Sequence, residues 1–103
     1  MARRLVWSPE VVEDIEAIAT YIARDSTYYA RTVVARIVSV AESIPENPEL
    51  GRIVPEIGDS EFRERFVHKY RVIYRIEQRR ILFVAVIHGS RLLEPVVGRI
   101  EDA

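Results

Sequence analysis

Cysteine is absent from the 103 residues. Its absence excludes a disulfide framework, a thiol nucleophile and a thiolate metal site, and fits a reducing cytoplasm. Histidine is scarce as well: His68 and His88 stand 20 residues apart in sequence. Without cysteine, two histidines so placed make a poor metal signal, and no metal or other cofactor is expected. No apolar run approaches the ~18–20 residues needed for a membrane helix. The opening MARRLVWSPE lacks the apolar core of a signal peptide. The expectation is a soluble cytoplasmic protein without membrane contact. The four glycines form neither a phosphate-cradling loop nor a Gly-x-Ser-x-Gly elbow. Nucleotide-binding loops and serine hydrolases drop out.

What the chain does have is arginine, concentrated in one place. Residues 62–91 carry seven of the fourteen arginines, the single lysine and both histidines. That stretch holds eight basic against two acidic side chains, although the whole chain has a net charge of −1. Residues 1–50 balance at −3 and residues 51–103 at +2. Any attraction to phosphate must therefore be local rather than global. At this length the chain is expected to form one domain around one core.

The hydrophobic pattern predicts the elements. Residues 3–7 read as a short strand. Ser8-Pro9-Glu10 opens a helix, with Ser8 as N-cap and Pro9 where its missing N–H costs nothing. Val11, Val12, Ile15, Ile18, Ala19 and Ile22 repeat at three- and four-residue spacing to about residue 24. Ser26 or Thr27 caps a second helix, and Pro45 stops it. A connection this short implies an antiparallel helical hairpin. Residues 45–51 are a Pro- and Gly-rich loop. Three strands follow, near 62–67, 70–76 and 80–88, with a turn at Glu77-Gln78-Arg79. The last strand, ILFVAVI at its centre, is apolar on both faces and is expected to be central. Residues 92–103 suggest a short strand or docked extension. Paired helices followed by a run of strands predict an α+β fold, the hairpin lying on one face of a mostly antiparallel sheet.

Several side chains are candidates for chemistry. Arg63, Arg65, Arg71 and Arg75 alternate along neighbouring strands, so they could share one sheet face and clamp phosphates. Alternatively they make an ordinary solvated face, paired with Glu64 and Glu77. His88, with Arg91 three residues on, could serve as acid or base beside an anion-stabilising arginine, or simply finish the strand. Glu56 is the carboxylate set in a loop rather than on a helix surface, and could be a general base. Tyr21, Tyr28 and Tyr29, near the turn between the helices, are read as packing or partner contacts.

Taken together, residues 7–26 (WSPEVVEDIEAIATYIARDS), 46–56 (ENPELGRIVPE), Arg63-Glu64, 70–76 (YRVIYRI) and 86–91 (VIHGSR) resemble the RelE/ParE superfamily of type II toxin–antitoxin toxins. The similarity runs in order over nearly the whole chain. It implies the same αα-hairpin on an antiparallel sheet. It also implies a cognate antitoxin that fills an apolar groove around the helices, where Ile15, Ile18, Ile22, Val34 and Ile37 fall. In the RelE-like branch, which includes the YoeB group and cuts mRNA on the ribosome, Arg71 would take a catalytic arginine's place. Glu56 would stand for the general base, His88 for a histidine near the end, and Arg91 for a second phosphate-binding arginine. Arg63, Arg65 and Arg75 would hold substrate phosphates. Gly89 departs from that branch, standing where the YoeB group has a terminal tyrosine, and the lysine cluster of RelE is missing. The ParE-like branch keeps the fold and poisons DNA gyrase. The length of the helical hairpin, the YIARDS segment and the HGSR ending favour that branch. The alternatives are the ribosome-dependent nuclease and a non-toxic binding module.

Overall fold

The computed structural model describes residues 3–91 and 94–102. The chain runs β1 (Arg4–Trp7), α1 (Pro9–Ala23), α2 (Thr27–Ser43), β2 (Arg52–Ile53), β3 (Phe62–Val67), β4 (Tyr70–Ile76), β5 (Arg80–His88) and α3 (Val97–Asp102). Short 3₁₀ turns at Ile44–Glu46 and Pro48–Leu50 fill the Pro-rich loop. The strands form one sheet in the order β1-β5-β4-β3-β2. β1 is parallel to β5, and every other pairing is antiparallel.

Local chemistry accounts for the helical hairpin. The Ser8 side chain accepts from the Val11 N–H at 3.1 Å, and Ser26 accepts from the Tyr29 N–H at 3.0 Å. Each cap satisfies a donor that the first helical turn leaves without a partner. The stripes of α1 and α2 then meet the sheet. Val11, Ile22, Val33 and Ile37 pack with Val67, Val72, Tyr74, Ile81, Phe83 and Val86 in one core. Trp7 stacks on Phe83 at 4.8 Å between ring centroids, tying the first strand to the centre.

A second core lies on the sheet's other face. Val54, Phe62, Ile73, Val84, Ala85, Val96 and Ile100 are buried there together. The tail was expected to be a strand or a docked extension; residues 94–102 dock, as a 3₁₀ turn followed by α3. Residues 92, 93 and 103 lie outside the described residues. The face without the hairpin is therefore partly covered. Val96 and Ile100 remove apolar sheet surface from water that would otherwise stay exposed.

β5 carries an irregularity that decides where its end points. Ile73 pairs with Ala85, but Tyr74 pairs with Phe83, so Val84 is an extra residue. This bulge sends Val84 and Ala85 to the same core and returns Val86 to the hairpin side with Ile81 and Phe83. Plain alternation would have put Val86 and His88 on the other face. The bulge reverses them.

Candidate functional site

The four strand arginines do not share a face. Arg63 pairs with Tyr74 and Arg65 with Val72, so both lie on the hairpin side. Arg71 pairs with Phe66 and Arg75 with Phe62, which puts them on the opposite side. Directly opposed residues of an antiparallel pair share a face, and successive residues of one strand do not. The expected common phosphate clamp is replaced by two arginine pairs, one on each face. Arg63 is engaged locally: its guanidinium donates to the backbone carbonyls of Ser60 and Gly51 at 2.9 and 3.1 Å.

Arg71 is the centre of a closed ion network. It is buried, and its Nε donates to Glu64 Oε1 at 2.6 Å. Its two terminal nitrogens donate to the two oxygens of Glu56, both at 2.7 Å. The other oxygen of Glu64 accepts from Arg52 Nε at 2.5 Å. The Glu64 side chain is 0% exposed, while that of Glu56 is 42% exposed. β3 and β4 supply Glu64 and Arg71, β2 supplies Arg52, and the turn after Val54 delivers Glu56. Two arginines and two carboxylates neutralise one another, with bidentate geometry at the Glu56 end.

This closure changes what Glu56 can do. Hydrogen bonds from Arg71 outweigh its partial burial and hold its carboxyl at about 2, against an ordinary 4.5. A carboxylate of that acidity is ionised but weakly basic, far from the value that suits a general base near neutrality. The Arg71 guanidinium is pushed above its ordinary value, chiefly by its bond to Glu56. A pH consequence follows. Because the folded value of Glu56 is depressed, its contribution to stability is complete above pH 4.5 and is lost as pH falls towards 2. Glu56→Gln should flatten the fall of melting temperature across that acid window while leaving its shape above it unchanged. An identical acid profile in parent and variant would mean that Glu56 gains nothing from Arg71.

His88 stands elsewhere. It pairs with Tyr70, and Arg71 pairs with Ile87, so the sheet separates His88 from the Arg71 network. Its Nδ1 accepts from the Ser90 N–H at 3.2 Å and contacts Ser90 Oγ at 2.7 Å. The accepted N–H places the proton of the neutral ring on Nε2. The ring lies edge-on to Tyr70 at 5.7 Å. His88 and Arg91 line a cleft of about 520 Å³, together with Ile18, Tyr21 and Tyr70. Burial pushes the Tyr70 phenol above its ordinary value. Glu56 and Arg71 therefore meet; His88 and Arg91 meet each other; the two pairs do not meet.

The helix stripe splits in a similar way. Ile22 and Ile37 are buried in the core against the sheet. They cannot be the open surface of a groove. Ile15 and Ile18 are half-buried at the edge of that core, and Val34 is half-buried on α2.

Two functional-looking pairs escaped the sequence reading. One is Glu64 with Arg52. The signal was an acid at the same strand parity as the buried Phe62, which is costly unless an arginine meets it. The other is Asp14 with Arg99. Arg99 reaches back from α3 to both oxygens of Asp14 at 2.7 and 3.1 Å, and Asp14 also accepts the Val86 N–H at 3.0 Å. β1 pairs with β5 only as far as Phe83. Among the described residues no strand pairs with that edge of β5 beyond Phe83, and Asp14 takes up its Val86 N–H. Among the described residues no group of three or more acidic, histidine or cysteine side chains could hold a metal, and no helix is long and apolar enough to cross a membrane.

A helical hairpin on one face of a five-stranded sheet, with β1 parallel at the edge, is a fold shared with solved toxin structures. A chain from the chromosomal ParDE toxin–antitoxin system of P. aeruginosa is 17% identical, with a TM-score of 0.70 over 84% of this chain and 96% of that one. A chain of the heterotetrameric YoeB-YefM toxin–antitoxin complex from Staphylococcus aureus is 18% identical, with a TM-score of 0.55 over 85% of this chain and 98% of that one. Toxin RelE2 of Caulobacter vibrioides is 29% identical over 90 residues, 86% of this chain and 98% of its own length. The model of the family described as "ParE toxin of type II toxin-antitoxin system, parDE" matches residues 5–93. The chain belongs to that family, within the RelE/ParE superfamily.

Proposed function

We propose that this toxin-family protein arrests growth by ParE-like poisoning of DNA gyrase and that a cognate antitoxin neutralises it. The observation that carries the reading is the state of Arg71: its fork is filled by Glu56 and Glu64, and the sheet separates it from His88. Phosphodiester cleavage by a 2′-hydroxyl needs a base, an acid and a free cationic donor converging on one phosphate. Here the base is held at about 2 and the acid candidate faces the other way. The family match over residues 5–93 points in the same direction.

The ribosome-dependent mRNA endonuclease is the second reading, favoured by the direct contact of Glu56 with Arg71. It requires substrate phosphate to displace Glu56 from the guanidinium. For the antitoxin contact we take Ile15, Ile18 and Val34, which keep partial exposure, with Ile22 and Ile37 supporting them from the core.

Brief induced expression without antitoxin separates the readings. Gyrase poisoning gives filamentation and a DNA-damage response while protein synthesis continues, and purified protein makes gyrase accumulate cleaved plasmid. Early translation arrest with cut mRNA would replace it by the nuclease. His88→Ala should leave growth inhibition largely intact, whereas a nuclease stripped of one transition-state contact loses ~10²–10³-fold.

A further inference from the structure

β5 is nine residues long, and the strand beside it covers only its first half. β1 pairs with Arg80 to Phe83, the Ser8 N–H makes a last bond to the Phe83 carbonyl at 3.2 Å, and α1 turns away. Val84 to His88 continue alone on that side: among the described residues no strand pairs with this edge. A bare edge leaves backbone donors and acceptors in line for another strand. The run Val84-Ala85-Val86-Ile87 is uncharged, β-branched at three of four positions and free of proline and glycine. That composition favours association of strand with strand.

Two side chains from distant elements stand on this edge in place of a strand. Asp14, from α1, accepts the Val86 N–H at 3.0 Å. Arg99, from α3, donates to the Val84 carbonyl at 3.4 Å and holds both Asp14 oxygens at 2.7 and 3.1 Å. A carboxylate takes up the backbone donor and a guanidinium the backbone acceptor, the two roles that a neighbouring strand would fill. Further along, the Arg91 N–H turns back onto the His88 carbonyl at 3.0 Å. The Arg99 guanidinium is pushed above its ordinary value, chiefly by its bond to Asp14, with Glu10 and Glu13 adding to the effect. Val96 and Ile100 anchor the same segment in the second core, so Arg99 is delivered to the edge by packing as well as by charge. The other end of the sheet is blunted more simply, by a two-residue β2 that carries Arg52.

We propose that the Asp14–Arg99 pair is an edge guard, which keeps β5 from pairing antiparallel with β5 of a second copy of this chain. A second copy is the partner that suits the edge. A two-fold axis through Val86 would set that residue against its own copy and Ala85 against Ile87, apolar against apolar with no like charges opposed. Such pairing requires Asp14 to give up the Val86 N–H and Arg99 to leave the Val84 carbonyl. The displaced ion pair would then meet an incoming strand that carries no charge to receive it. The guard makes self-pairing costly without disturbing the sheet of either copy. It involves α1, β5 and α3, and rests on neither the gyrase reading nor the Arg71 network.

The test is sedimentation velocity on the purified full chain over a concentration series, joined to hydrogen exchange of the amides of residues 84–88. In the parent, exchange at these amides should be the same at every protein concentration. Asp14→Ala combined with Arg99→Ala should shift the equilibrium toward dimer by about 10-fold or more, the weight of one charge-assisted hydrogen bond no longer lost on pairing. Protection of residues 84–88 should then rise with concentration, which places the new contact at this edge rather than at an exposed second core. Arg99→Gln leaves Val96 and Ile100 in place and should move the same way by a smaller factor, so the question stays answerable if the double variant unfolds. Circular dichroism melts establish which variants are folded. Three outcomes overturn the proposal: folded variants that associate no more than the parent, association that leaves exchange at residues 84–88 unchanged, or a parent whose own amides there become protected as concentration rises.

Discussion

Arg71→Ala should destabilise the protein by about 3–5 kcal/mol, the cost of leaving a buried charge without its partner. The Glu64 side chain is 0% exposed and is bonded to Arg71 at 2.6 Å. With Arg71 gone, the ion partner left to Glu64 among the described residues is Arg52, whose side chain is 57% exposed and whose grip solvent screens. For a domain of this size each kcal/mol moves the melting temperature by about 4–8 °C, so the transition should drop by well over ~10 °C. Replacing Arg71 and Glu64 together with apolar residues of similar volume should recover much of the loss, since no buried charge remains. A thermal melt by circular dichroism decides: an unchanged transition in Arg71→Ala would mean that the network adds nothing to stability. The result also bears on function. Loss of growth inhibition in Arg71→Ala counts as evidence for chemistry only if the variant is folded.

Phe83→Ala should cost a similar amount, about 3–5 kcal/mol, by a different mechanism. Phe83 is fully buried, stacked on Trp7 at 4.8 Å and tilted against Tyr74 at 5.9 Å. Truncation removes apolar contact with β1 and β4 at once and leaves a hole that the close-packed sheet cannot fully collapse. Phe83→Leu keeps most of the volume and should lose much less. Urea unfolding with an unchanged slope and a lowered midpoint is the expected signature. A midpoint close to the parent's would mean that β1 is not held through this ring.

Much of this protein was legible locally. Ser8-Pro9 and Ser26 mark the helix starts because a capping hydroxyl needs only its own next turn. The stripes of α1 and α2 follow the helical period, and the run ILFVAVI announces a strand buried on both faces. From these the α+β architecture follows.

The site was another matter, because it depends on how separate stretches meet. Alternation within β3 and within β4 does not say which parity of one faces which parity of the other. Their register put Arg63 and Arg65 on the face away from Arg71 and Arg75. One extra residue at Val84 then turned the end of β5 and carried His88 to the hairpin side. Burial of Glu64 converted Arg71 from an exposed phosphate clamp into the centre of an ion network joining three strands and a loop. Helices, strands and caps are set by interactions a few residues apart, which the amino-acid order contains. The partners of Arg71 and His88 are set by strand register and a bulge, which only long-range pairing decides.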